Sequence, residues 1–319
     1  MTGSLARMLR TDWFGPLAII VAASVGITIF DPSFLSPFNI QILLLATAVN
    51  VVIAMSQMVI IAIGQMNLAI GAIGGLSAIC FAGLMQVWSF PPMVAAAAAL
   101  GIGVTAGLFN GFLIARTGIS AFIITLASLS IFKGADLGIT RAQPFYGIPA
   151  VVKAFGNATM VSPIPWLALP AALVVLGMWR LLYRQKVGRY ILAVGGNASA
   201  AELSGISIAR TILWAHAISG FLAALAGVML VARLQIGQPS IGDVWFILSC
   251  AAPDIGGAAL AGGHVSVFGT FFGVVIVAII TQALVIFSID PFFVQVVLGL
   301  LILWAVGVNR LREVRFQGA

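Results

Sequence analysis

Long apolar runs, broken by short polar or glycine-rich joints, set the pattern of this chain. Within each run the apolar residues are continuous rather than alternating, which predicts helices and not the strands of a membrane β-barrel. The runs reach about 18 residues or more, the length that crosses a bilayer core of roughly 30 Å. Spans are expected at residues 13–30, 39–63, 67–88, 92–115, 119–140, 165–183, 211–233, 244–262, 265–288 and 291–308. The pattern predicts an all-α polytopic membrane protein of about 10 transmembrane helices, with eight as the alternative count. Two divisions carry little punctuation. Only Gly64-Gln65-Met66-Asn67 separates the second and third spans, and the eighth holds Pro253, Asp254 and the glycine pair Gly256-Gly257.

Composition supports this. The 319 residues are 62% hydrophobic and only 7% charged, too few charges to solvate a soluble fold. The whole of 1–319 is therefore expected to be a single transmembrane domain. The net charge of +7 suggests nucleic-acid binding only if its cations cluster on a soluble face. Instead they sit at the ends of apolar runs: Arg7, Arg10, Arg116, Arg180, Arg184, Lys186, Arg189, Arg210, Arg310, Arg312 and Arg315 all fall on one side if the N-terminus is inside. That bias predicts both termini in the cytoplasm and an even number of spans. Lys133, Arg141, Lys153 and Arg233 remain for the other side. Arg7 and Arg10 before the run Trp13–Phe30 resemble the start of a signal peptide, but the run has spanning length and is read as the first helix. Cys80 and Cys250 lie inside apolar runs and read as small buried hydrophobes.

Two hydrophilic connections stand out. The outer one, about Arg141–Pro165, is rich in proline, and Lys153-Ala154-Phe155 suggests a short surface helix. The inner one, Tyr183–Arg210, begins with cations that hold a span end at the cytoplasmic interface. Gly195-Gly196-Asn197 then breaks the chain direction. Asn197 is placed to cap a helix of Ala198, Ser199, Ala200, Ala201, Glu202 and Leu203, which Ser204-Gly205 ends. A short helix of small residues with one apolar anchor, Leu203, suits the groove of a partner; it is equally a single helical turn in an ordinary loop. Gly64–Gly75 and Ile255–Gly269 are both glycine-rich and lie at matching distances from the two ends. That placement suggests inverted-repeat halves around a pathway, or simply close helix packing as in Gly107-x-x-x-Gly111 and Gly269-x-x-x-Gly273.

Asn50, Gln57, Gln65, Asn67 and Gln282 are candidates to line a polar pathway, or to join helices. Asp254 is an intramembrane carboxylate, a functional candidate by its cost, or a protonated or helix-capping residue near the interface. Lys133 and Asp136, three apart on one helical face, are expected to pair with each other near the outer edge, with a substrate contact as the alternative. His216 and His264 are expected near the cytoplasmic edge, with no metal assigned. No phosphate-binding loop, zinc-protease helix or nucleophile elbow is present, so no catalytic residue, cofactor or metal is assigned to this chain.

The stretch GRYILAVGGNASAAELSGI (188–206) resembles the cytoplasmic coupling segment of the ribose-type permease subunits of bacterial ATP-binding-cassette importers. Matching that family's pattern are Gly188, Arg189, Ala193, Gly195, Gly196, Asn197, Ala200, Ala201, Ser204, Gly205 and Ile206. FLSPFNI (34–40), GQMNLAIGAIGGLSA (64–78), GLFNGFLIARTGISAFIITLASLSIFKG (107–134) and IGGAALAGGHVSVFGTFFG (255–273) resemble further family blocks in the same order. The resemblance implies a permease moving a monosaccharide or related small polar solute across a bacterial inner membrane. It implies a second permease, alike or homologous, a periplasmic solute-binding protein, and separate ATPase subunits that use ATP and Mg and dock on the segment at about 184–210. A permease for nucleosides, branched-chain amino acids or a sugar-like signalling molecule is the alternative; an ion-coupled secondary transporter is a third. The chain departs from the family in several places. Asn67 stands where Asp is usual, Ala121 for proline, Ser199 for Glu, Glu202 for a basic residue, and His264-Val265 for a glycine-containing pair. Asp254 is also unusual at its position.

Overall fold

Helices account for most of the computed structural model, which describes residues 14–290 and, beyond them, 293, 295–297, 299–300, 303 and 307. Much of the tenth expected span, the cations at 7 and 10 and those at 310–315 lie outside the described residues. In order, the helices are α1 (Phe14–Phe30), α2 (Pro37–Ala62), α3 (Ile70–Gln86), α4 (Pro92–Thr117), α5 (Ala121–Thr140), α6 (Ala150–Asn157), α7 (Ala168–Arg184), α8 (Lys186–Gly196), α9 (Ala198–Leu203), α10 (Ile208–Leu234), α11 (Trp245–Ile255) and α12 (Val267–Ile286). Five of them, α2, α4, α5, α10 and α12, are long and apolar enough to cross a membrane, and α1, α3 and α11 are shorter apolar helices. A small antiparallel pair, Thr159–Val161 with Ile164–Pro165, follows α6 in the connection where a surface helix was expected.

Local chemistry sets the starts and stops. The Asp31 carboxylate accepts from the Ser33 amide at 2.9 Å, opening a 3-10 turn over Pro32–Leu35. Ser36 then caps α2, with Pro37 in its first turn. Gly118, left-handed at φ 69°, ends α4.

Helix α2 lies at the centre. From Thr47 to Ile63 every residue except Asn50 is buried, as expected of a helix that is apolar all round. Helices α10, α11, α12 and α7 surround it. Helix α5 is different: its buried stripe of Ala121, Ile124, Thr125 and Ser128 leaves Ile123, Leu126 and Ile131 exposed. Helix α4 packs most extensively on α10, and glycine makes it possible. A Cβ on Gly107 would strike the His216 carbonyl, and one on Gly220 would strike the Gly103 carbonyl. Small residues thus let two backbones touch in the way membrane helices associate.

Two elements differ from the sequence expectation. The eighth span, expected over 244–262, is helical only over Trp245–Ile255. At about 1.5 Å per residue that is roughly 16 Å, half of a bilayer core. Pro253 and the glycines that follow stop it: Gly257, Gly262 and Gly263 all have positive φ. Residues 186–196, expected as a connecting stretch, form helix α8. Gly188, Ile191 and Val194 recur on one buried face, and Gly188 lies directly against the Leu181–Leu182 backbone.

Candidate functional site

Helix α9 has the bounds its caps dictate. The Asn197 side chain accepts from the Ala200 amide at 2.9 Å. At the other end the Ser204 hydroxyl donates to the Ala200 carbonyl at 2.9 Å, and Gly205 turns away at φ 81°. One face, Ala201, rests on the bundle. The other presents Ser199, Glu202 and Leu203 to the exterior, and Leu203 is 91% exposed. A leucine this exposed on a rigid, capped helix is an anchor without a pocket in its own chain.

Behind α9, the end of α8 touches the last residue of α2 and the second glycine-rich segment at once. A Cβ on Gly195 would strike the Ala62 carbonyl and come within 2.8 Å of the Gly263 amide. Gly263 itself donates to Ala62 O at 3.0 Å, and Gly262 lies against Gly64. The two unwound stretches, 63–69 between α2 and α3 and 256–266 between α11 and α12, therefore meet under the α8–α9 joint. The matching placement of these stretches in the sequence corresponds to physical contact.

The first unwound stretch carries a polar seam. Asn67, fully buried, accepts from the Ala69 amide at 2.9 Å and reaches Ser219 Oγ at 3.5 Å. Ser56 Oγ donates to the Ser219 carbonyl at 2.9 Å. The Leu68 amide donates to Thr125 Oγ1 at 3.1 Å, and Gln65 Oε1 lies 3.0 Å from His216 Nε2. Side chains from α5 and α10 thus hold a stretch that has no helical ladder of its own, and Ser56 of α2 braces Ser219 behind it. Gln57 lies one residue from Ser56 and donates to Cys250 Sγ at 3.4 Å; Asp254 is buried one turn beyond Cys250.

The expected pathway residues divide accordingly. Gln65 and Asn67 come together, and Gln57 joins the same central packing from α2. Gln282 is elsewhere, donating to Asn39 Oδ1 at 3.4 Å, and Asn50 is half-buried on α2. His216, expected near the cytoplasmic edge, is fully buried against Gln65. Lys133 does not pair with Asp136: its ammonium binds the Asp243 carboxylate and the Pro239 carbonyl, while Asp136 is buried with Oδ1 unbonded among the described residues. The i, i+3 spacing offered only the local partner, whereas Asp243 arrives from a turn more than one hundred residues away. Ser56, Ser219, Thr125 and Asp243 were not singled out by sequence; lone hydroxyls in apolar runs carry no pattern that marks them.

Two cavities flank the unwound stretch. One, of about 520 Å3, is lined by Gln65, Met66, Ser120 and Leu260. The other, of about 300 Å3, is lined by Leu68, Leu129, Lys133, Asp243 and Phe246. Gln65–Leu68 is the partition between them.

Residues 39–306 match the family described as branched-chain amino acid transport system / permease component. The chain is 34% identical over 299 residues to the ribose import permease of Bacillus subtilis (strain 168), covering 93% of this chain and 92% of that protein. It is 35% identical over 296 residues to the D-allose transport system permease of Escherichia coli (strain K12), covering 92% and 90%. It is 29% identical over 303 residues to the fructose import permease of Rhizobium meliloti, covering 92% and 84%. The chain belongs to this permease family.

Proposed function

We infer that this member of the permease family is the membrane-spanning subunit of an ATP-binding-cassette importer that brings a monosaccharide into the cytoplasm across the bacterial inner membrane. The sugar assignment follows its ribose, allose and fructose relatives. The observation that carries the mechanism is the α8–α9 joint: an exposed helix on one side, backbone contact with the end of α2 and with the second unwound stretch on the other.

In this reading the segment at about 184–210 is the coupling segment. An ATPase subunit, holding ATP and Mg, receives Leu203 and its neighbours in a surface groove. When two ATPases close, α9 moves, and Gly195 transmits that displacement to Ala62 and Gly263 without an intervening side chain. The partition Gln65–Leu68 then shifts between the two cavities, exchanging access from one side to the other. A second permease completes the pathway, and a periplasmic binding protein delivers solute. Glycine at 195 suits such a joint, since backbone-to-backbone contact has no rotamers to absorb the motion.

The test is uptake of labelled D-ribose and D-allose by membrane vesicles carrying the chain with its ATPase and binding protein. Uptake that needs ATP and stops when the ATPase is omitted supports the reading. Uptake that persists without the ATPase and follows an ion gradient sinks it in favour of a secondary transporter.

A further inference from the structure

The cavity of about 300 Å3 beside Leu68 has a wall whose chemistry the coupling mechanism does not use. Lys133 is a cation within a membrane-crossing helix, an expensive placement. Its cost is offset by Asp243 and the Pro239 carbonyl, yet the pair is not sealed: the side chains are 28% and 52% exposed. An ammonium has three protons, and these contacts occupy two. The Asp243 carboxylate likewise keeps acceptor sites beyond the one facing Lys133. Phe246, Leu129 and Leu68 add apolar surface to the same lining, and Gly71 lies directly on the Gly242 backbone next to Asp243.

A neutral polyol meets all of these features. One hydroxyl accepts from the spare Lys133 proton, a neighbouring hydroxyl donates to Asp243, and the C–H face of the ring lies on Phe246. The ion pair stays intact throughout. A zwitterionic amino acid would instead compete with each charge for its partner and dismantle the pair. The volume is that of a site for one small solute.

We propose that Lys133, Asp243 and Phe246 form a monosaccharide subsite on the outer side of the Gln65–Leu68 partition, where solute waits before the partition moves. This rests on the importer reading and names the place of the solute within it.

The test is saturation-transfer NMR on the full-length chain in lipid nanodiscs, with D-ribose, D-allose and L-leucine as probes. A sugar is expected to show transfer to its ring C–H protons and L-leucine none. Lys133→Gln and Asp243→Asn each remove a charged hydrogen bond and weaken the sugar signal about tenfold or more. Phe246→Ala weakens it without touching the ion pair. The exchanged pair K133D/D243K guards against a merely structural role: it is expected to restore thermal stability but not sugar contact. Full recovery of the sugar signal in that variant would show a brace rather than a subsite and overturn the proposal. So would an undiminished signal in the single variants, no sugar signal from the unaltered chain, or transfer to L-leucine alone. Vesicle uptake separates the two readings. ATP-independent uptake with the sugar signal intact sinks the importer and leaves the subsite; ATP-driven uptake without any sugar signal does the reverse.

Discussion

The Gly263 amide donates to the Ala62 carbonyl at 3.0 Å, bonding the loop after α11 to the end of α2 across two hundred residues of sequence. Gly195 lies on this bond with no room for a side chain. Gly195→Ala must push α8 away from Ala62 or break the bond. Overpacking of this kind costs about 1–3 kcal/mol, and the joint loosens on the side facing both unwound stretches. The expected result is an inserted protein that still retains its ATPase on purification but takes up sugar at a small fraction of the normal rate. Normal uptake by this variant would show that motion does not pass through the α8–α9 joint.

Leu203 makes the complementary prediction. At 91% exposure its side chain contributes little to the fold, so Leu203→Ser is expected to change stability by less than about 0.5 kcal/mol. Co-purification of the ATPase and ATP-driven uptake should both fall sharply. Gly205→Asp acts differently, because φ 81° strains any residue with a Cβ in addition to placing a charge beside α9. It should abolish uptake while leaving the protein inserted. Retained ATPase binding and normal uptake in both variants would remove α9 from the coupling route.

The contrast between these elements explains what was legible in the sequence. Helix α9 was readable because its signals are local: Asn197 caps within three residues and Gly205 stops the chain within two more. The spans were readable because lipid demands a continuous apolar run. Helix α8 was not, since Gly188, Ile191 and Val194 make a buried face only once Leu181–Leu182 lies against it. The half-length α11 was hidden because Pro253 and the glycines after it in an apolar run are compatible with a whole span, and the Gly263–Ala62 contact that stabilises the unwound form is long-range. Lys133 shows the same limit. Sequence spacing proposed Asp136, and tertiary structure supplied Asp243.

Gln65 and His216 are coupled through one contact, Oε1 to Nε2 at 3.0 Å, that tethers the partition to α10. Gln65→Leu leaves the buried His216 ring nitrogen without its partner, a loss of about 1–3 kcal/mol, and His216→Leu does the same to the half-buried Gln65 at a smaller cost. The double variant removes both and should be less destabilised than the sum of the two. An interaction term of about 0.5 kcal/mol or more from thermal unfolding of the four proteins would establish the tether. Strict additivity would mean that the partition is held by the Asn67–Ser219 and Leu68–Thr125 contacts alone.

Helix α4 provides an internal control for the role of glycine in the bundle. Gly101 and Gly107 lie on the same helix, but a Cβ on Gly101 meets nothing within 4 Å, whereas one on Gly107 strikes the His216 carbonyl. Helix propensity acts alike at both positions and favours alanine by about 0.8–1 kcal/mol. Packing acts only at Gly107, where α10 must retreat and the His216–Gln65 contact is drawn with it. Gly101→Ala is therefore expected to raise the thermal midpoint slightly and leave uptake unchanged. Gly107→Ala should lower the midpoint and slow uptake, because the displaced carbonyl belongs to the residue that tethers the partition. Equal midpoints for the two variants would mean that the α4–α10 contact yields freely, and that close backbone approach is not what holds this part of the bundle together.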